Sequence, residues 1–203
     1  MRRVLVTGAT GAVGAPLAGQ LAALGAEVRC LVREPIAAQA ALPQADLIGG
    51  DLEDPAALTR AVSGCDAVFH AGGMPEQWTR DPGIFHRVNC EGTGHLLQAA
   101  QAAGTRLFVH VSTQDTFDLT RDPFDETMPS RDPHPSAYEV SKLAAQVLVD
   151  RARAEGMAVR SIHPCAVYGP GALKPSGMNA LLLGLRHGQV PALIRGGMPV
   201  VFN

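Results

Sequence analysis

The sequence has no excess of either charge: 17 Lys and Arg stand against 19 Asp and Glu in 203 residues, a formal charge of −2. Without a broad basic field there is little to hold a phosphate backbone or an anionic bilayer, so no nucleic acid and no membrane are expected as partners. Cysteine is scarce. Cys30, Cys65, Cys90 and Cys165 stand far apart with no C-x-x-C spacing, which argues against a zinc site and a disulfide framework and fits a reducing, cytoplasmic setting. Long apolar runs are missing as well. After Met1-Arg2-Arg3 only Val4-Leu5-Val6 precede Thr7-Gly8, so no export is expected, and nothing approaches the roughly 20 apolar residues of a membrane span. Aromatic residues reach only 4%, and no repeat or low-complexity tract occurs.

Glycine and proline are plentiful, with 22 and 15 residues; clustered, they mark tight turns around a site. With 46% hydrophobic residues the chain is long enough for one large core without staples. Short apolar runs predict strands over 3–7, 27–32, 46–48, 67–70, 107–111 and 158–163, and a last one begins at Val200. Between them, helical spacing predicts helices over 14–24, with Leu17, Leu21 and Leu24 on one face, and over 55–63. Further helices are predicted over 89–103, with Leu96, Leu97, Ala100 and Ala103 apolar, over 138–155 and around 178–185. Strand and helix in alternation, with near-continuous apolar strands, imply an α/β fold: a doubly wound parallel sheet with helices on both faces. The stretch Asp115–Pro135 has no periodicity and reads as a long acidic loop.

Three constellations carry chemistry. Val4-Leu5-Val6 runs into Gly8-Ala9-Thr10-Gly11-Ala12-Val13-Gly14, a strand, a glycine turn and a helix start. Glycines there permit a tight turn and close approach of backbone to a pyrophosphate, and a helix N-terminus offers free N–H groups; a plain tight turn is the other reading. At the end of the second strand, Arg33 is placed to hold a 2′-phosphate, which favours NADP over NAD, unless Glu34 reads the ribose and Arg33 is a solvated charge. Asp51-Leu52 follow the third strand, where an acid and an apolar group can bracket an adenine; Asp51 can equally cap the next helix or close a turn.

Tyr138 and Lys142 are separated by four residues, and on a helix they share a face, so phenol and ammonium converge on one cleft. A nearby cation stabilises a phenolate and lowers its pKa toward the range useful for proton transfer. Ser112-Thr113 end an apolar strand, where a hydroxyl points into the ligand crevice of a parallel sheet.

With these motifs in order the chain resembles the extended short-chain dehydrogenases/reductases, the NAD-dependent epimerase/dehydratase family. Val68-Phe69-His70-Ala71-Gly72 resembles the family's segment beside the nicotinamide. Asn89-Cys90-Glu91-Gly92-Thr93 resembles its N-x-x-G-T helix start, and Pro164-Cys165-Ala166-Val167-Tyr168-Gly169-Pro170 its signature after the sixth strand. The resemblance implies a Rossmann-type NAD(P)-binding domain over 1–170, with 171–203 only the start of a truncated substrate lobe. It implies Tyr138 as acid/base, Lys142 lowering its pKa and binding the nicotinamide ribose, and Thr113, with Ser112 in reserve, orienting the substrate oxygen. Gly8, Thr10, Gly11, Ala12, Val13, Gly14, Arg33, Asp51, Leu52, His70, Ala71, Gly72, Pro164 and Val167 then line the cofactor, NADP by preference or NAD. His163 stands where relatives commonly carry arginine and receives no role. Gln114 follows Thr113 where dehydratases have an acid, which disfavours dehydration. The implied activity is hydride transfer between nicotinamide and a carbonyl or alcohol. The alternatives are a sugar-nucleotide epimerase, a non-catalytic cofactor-binding regulator, or a fragment whose substrate cleft is half open. A homodimer through the helices at 89–103 and 138–155 is an expectation of the same kind.

Overall fold

The computed structural model describes residues 2–121, 123–130, 136–175, 177–192 and 199–203. Its centre is a parallel sheet of β1 (Arg3–Thr7), β2 (Glu27–Val32), β3 (Asp46–Gly49), β4 (Ala67–His70), β5 (Leu107–Val111) and β6 (Val159–Ile162), in the order β3-β2-β1-β4-β5-β6. The order reverses between β2-β1 and β4, and such a switch point opens a crevice at the carboxyl ends of β1 and β4. The helices are α1 (Gly14–Ala23), α2 (Pro35–Ala38), α3 (Pro55–Val62), α4 (Gly83–Phe85), α5 (Gly92–Ala102), α6 (Ala137–Ala154) and α7 (Gly177–Arg186). A second, two-stranded parallel ribbon pairs β7 (Ala166–Tyr168) with β8 (Val200–Phe202).

Alternation along β1 sends its residues into two cores. Leu5 packs with Leu58, Val62, Leu96, Phe108 and Val149 on the side of α3, α5 and α6. Val4 and Val6 pack with Ala18, Val28, Val32 and Leu42 on the side of α1 and α2. Both faces of the sheet are therefore buried, the condition under which strands read as continuous apolar runs.

Several helix readings need correction. The α1 face is built from Gly14 and Ala18, with Leu21 behind them, whereas Leu24 is 85% exposed at the helix end. Leu24 lies past the last turn, where the chain leaves α1 and turns at Gly25 toward β2. Ala103 is likewise exposed beyond α5, while Leu96, Leu97 and Ala100 are buried. The helix expected to begin at Asn89 begins earlier: α4 continues through a π-helical segment, His86–Glu91, into α5. Asn89 is thus inside the wide turn of a helix rather than at its start. Pro129 bridges Phe117 in the expected acidic loop, whose residues 122 and 131–135 lie outside the described residues. No described helix is long and apolar enough to cross a membrane.

Candidate active site

The glycine turn follows from geometry no other residue tolerates. Gly8 has φ +67° at the end of β1, and a Cβ there would lie 2.6 Å from the Gly72 nitrogen and against the Ala71 carbonyl. A Cβ on Gly14 would lie 2.6 Å from the Gly8 carbonyl carbon, so the start of α1 approaches the turn as only glycine allows. Val13 caps α1 with no side-chain hydrogen bond; in the first turn the Ala15 N–H donates to the Gly11 carbonyl at 3.1 Å and Pro16 has no N–H, so the Gly14 N–H is the donor left for a ligand. Gly8→Ala should destabilise the fold by at least about 2 kcal/mol, combining left-handed strain with a backbone clash. Thermal unfolding checks this; a Tm within a degree of the parent would contradict it.

A cleft of about 510 Å³ opens beside this turn. Ala12, Val13, Ala71, Gly72, Pro164 and Val167 line it, and so do Ser112, Thr113, Tyr138 and Lys142. Gly8, Thr10, Gly11 and Gly14 shape the turn behind Ala12 and Val13; the Gly11 N–H donates to the Gly8 carbonyl at 2.9 Å, and the Thr10 carbonyl accepts from the Leu173 N–H at 2.9 Å.

The α6 helix is launched by a capping box: the Ser136 Oγ accepts from the Glu139 N–H at 3.1 Å, and Glu139 accepts from the Ser136 N–H at 3.2 Å. That fixes Tyr138 and Lys142 in the first two turns, facing the cleft. Lys142 is buried and donates to the Val111 carbonyl at 3.0 Å. Burial lowers its ammonium to about 8, with the Asp115 carboxylate acting in the opposite direction. The Thr113 hydroxyl donates to Asp115 at 2.8 Å.

The tyrosine differs from expectation. Burial first, and then the Asp115 carboxylate, push the Tyr138 phenol up to about 12; a hydrogen bond with Thr113 works against them, and Glu76 and Glu139 add to the rise. In this arrangement burial and Asp115 outweigh any opposing cation, and the phenol is held protonated, a proton donor rather than a base.

His70 also moves out of the cofactor wall. It is 1% exposed, with Nδ1 2.7 Å from the Thr7 hydroxyl and Nε2 2.9 Å from that of Thr93. The Thr93 hydroxyl donates to the Asn89 carbonyl at 2.6 Å, so its oxygen accepts from the imidazole, and the proton sits on Nε2. The bare Nδ1 then accepts from Thr7, whose oxygen accepts the Gly72 N–H at 3.1 Å. His70 thus braces the loop after β4 from behind. Burial pushes it down to about 3, and Lys142 adds to the effect, so it stays neutral.

The remaining expected residues stand outside the cleft lining. Leu52 is 7% exposed and belongs to the core, packed where Gly92 has no Cβ, so its side chain is not free to cover an adenine. Asp51 closes a turn, accepting from the Glu53 N–H at 3.1 Å, while Asp54 is the cap of α3. Arg33 is exposed just past β2 with no polar partner among the described residues, beside exposed Glu34.

Three contributors escaped the sequence reading. Asn89 accepts the Met74 N–H at 2.7 Å and donates to the Met74 carbonyl at 3.1 Å and to Ser141 at 3.0 Å, tying the loop after β4 to α6. Asp115 and Glu76 line the cleft and act on Tyr138. An N-x-x-G-T pattern marked Asn89 only as a helix start; nothing in the spacing of Asp115 or Glu76 points to the tyrosine.

A doubly wound parallel sheet with a glycine turn at its switch point, and a Thr, a Tyr and a Lys converging beside it, defines an α/β protein of the Rossmann type. The model of the NAD dependent epimerase/dehydratase family matches residues 4–198, and the chain belongs to this family. It is 32% identical over 202 residues to a putative dihydroflavonol 4-reductase of Synechocystis, covering 97% of this chain and 58% of the relative. It is 33% identical to a 3-beta-hydroxysteroid dehydrogenase of Mycolicibacterium neoaurum, over 83% of this chain and 48% of that one. A short-chain dehydrogenase/reductase superfamily protein from Agrobacterium tumefaciens, crystallised with bound NAD, superposes with a TM-score of 0.72 at 31% identity, over 83% of this chain and 50% of that chain. The chain spans about half the length of the curated relatives it matches.

Proposed function

We propose that the protein is an NADP-preferring carbonyl reductase, with Tyr138 as the proton donor. The observation that carries this reading is the convergence of Thr113, Tyr138 and Lys142 on the cleft at the glycine turn. The absence of any Cβ at Gly8, Gly14 and Gly72, each of which would strike neighbouring atoms, fits a pyrophosphate laid against the turn and the start of α1. Arg33 holds the 2′-phosphate and Lys142 the nicotinamide ribose. The cofactor, when bound, supplies the hydride for the substrate carbon.

The chain's own residues supply the rest. Thr113 orients the substrate oxygen by turning its hydroxyl proton to it from Asp115, and Tyr138 gives that oxygen its proton. A phenol held well above neutral stays protonated until negative charge develops on a reacting oxygen, which favours reduction of a carbonyl over oxidation of an alcohol. Residues 1–170 form the cofactor domain in this reading, and 171–203 open the substrate lobe. Epimerisation of a sugar nucleotide is the second reading; it draws on the family alone.

Titration with NADPH and NADH, followed by NADPH oxidation across a panel of small ketones and aldehydes, tests the proposal. Arg33→Ala should weaken NADPH binding by about 10- to 100-fold, the equivalent of about 1.5–3 kcal/mol for a charge-assisted contact, and leave NADH almost unchanged. A preference for NADH in the parent protein would overturn the role of Arg33. A panel without turnover would overturn the reductase.

A further inference from the structure

His163 follows β6 and stands across from Thr113. Its Nδ1 lies 3.2 Å from the Thr113 carbonyl oxygen and 3.0 Å from the Thr116 hydroxyl oxygen, and the Thr116 hydroxyl also lies 2.9 Å from that carbonyl. These three contacts leave one consistent arrangement of protons. A bare Nδ1 would face the carbonyl lone pairs at 3.2 Å, a repulsive contact. With a proton on Nδ1, the imidazole donates to both oxygens, and Thr116 donates its own proton to the carbonyl. The ring leans on Phe117 with centroids 4.5 Å apart. Burial lowers its pKa, with the Thr113 hydrogen bond opposing.

The Thr113 carbonyl lies two residues past the end of β5 and caps the tight turn Gln114–Thr116. It accepts the Thr116 N–H at 3.3 Å, and the Gln114 N–H is held in turn by the Pro164 carbonyl at 3.1 Å. The Thr113–Gln114 peptide is therefore tied to the segment after β6 through both its carbonyl and its N–H, once by an imidazole and once by backbone. Asp115 holds the hydroxyl; His163 holds the backbone from which that hydroxyl projects.

We propose that His163 is a positioning residue for the substrate-orienting Thr113, acting through the Thr113 carbonyl. The proposal rests on the reductase reading for its kinetic consequence and on geometry alone for the hydrogen bond. His163 itself does not line the cleft. Its effect is to hold the Thr113 hydroxyl in register with Tyr138, where an error of about 1 Å costs up to about 100-fold in rate.

The donor position separates the variants. Asparagine carries an N–H at the δ position, as the imidazole does; glutamine carries it one atom further out; phenylalanine keeps the ring against Phe117 without a donor. His163→Phe should lower kcat by 10- to 100-fold while Kd for NADPH and Tm stay near the parent values, and His163→Asn should restore most of the loss. An unchanged kcat in His163→Phe, or an asparagine variant no better than the phenylalanine one, would overturn the proposal. If the parent shows no turnover, the reductase reading fails and the hydrogen bond is judged separately. The ¹⁵N shifts of His163 in the intact chain report the tautomer: a protonated Nδ1 supports the clamp, and a bare Nδ1 sinks it.

Discussion

Replacing Tyr138 by phenylalanine is expected to cut kcat/KM for carbonyl reduction by about 10³-fold, within the 10²–10⁴ range of a positioned general acid. The substitution removes one oxygen and retains the ring, which meets Phe85 edge to face with centroids 6.1 Å apart. Packing at the head of α6 should survive, and with it the placement of Lys142. Affinity for NADPH should therefore change by no more than a few-fold, because in the proposed arrangement the phosphates and ribose meet the glycine turn, Arg33 and Lys142. A loss in kcat at constant cofactor affinity is the signature of a group that acts in the transition state. Retention of a tenth or more of the parent turnover would remove Tyr138 from the acid's role. The pH profile adds a second reading. With the phenol pushed up to about 12, reduction should show no loss of activity from Tyr138 ionisation below about pH 10.

Mild acid should destabilise the fold more than its carboxylates would suggest. His70 and His110 are both buried, and their rings lie 5.4 Å apart near the Lys142 ammonium. His110 has no hydrogen-bond partner at either nitrogen among the described residues, and burial, then Lys142, His70 and His163, hold its pKa far below the ordinary value. His70 is held at about 3. In the unfolded chain both imidazoles titrate near 6.5. Below that pH the unfolded state takes up protons that the native state refuses, so the full stability belongs to pH values above 6.5 and drains away as pH falls toward 3. His70 alone loses about 2 kcal/mol by pH 5, before most carboxylates begin to titrate, and His110 shifts stability in the same direction. Against a total of about 5–15 kcal/mol for a typical protein this is a large fraction. Urea unfolding at pH 7.5 and pH 5 measures it; equal stability at the two values would show that these imidazoles accept protons inside the fold.

Much of the architecture was legible before any coordinates because both sheet faces are covered. Strands 3–7, 27–32, 67–70 and 107–111 begin and end where their apolar runs do. The π-helical segment was not legible, since one extra residue in a turn leaves apolar spacing almost untouched. β7 was hidden inside a signature of glycine and proline, and its partner lies more than 30 residues away. In the site, a spacing of four brought Tyr138 and Lys142 to one cleft, as geometry requires. Their electrostatics was not legible. It depends on how deeply α6 buries both groups and on an Asp115 charge delivered by another element. His70 shows the same limit, because its role depends on Thr93, brought beside it by the helix that follows.

The reach of Asn203 has a consequence for the order in which the molecule assembles. Its side-chain amide donates to the Ala12 carbonyl at 2.6 Å, 191 positions away, and to the Pro170 carbonyl at 2.9 Å. Its backbone N–H donates to the Tyr168 carbonyl at 2.9 Å. A growing chain lays down Gly8 to Gly14 well before residue 203, so this bond to the turn waits until residue 203 has emerged. Contacts of such separation form late, after the loop they close has lost its freedom. The glycine turn is thus made long before this contact with it can form.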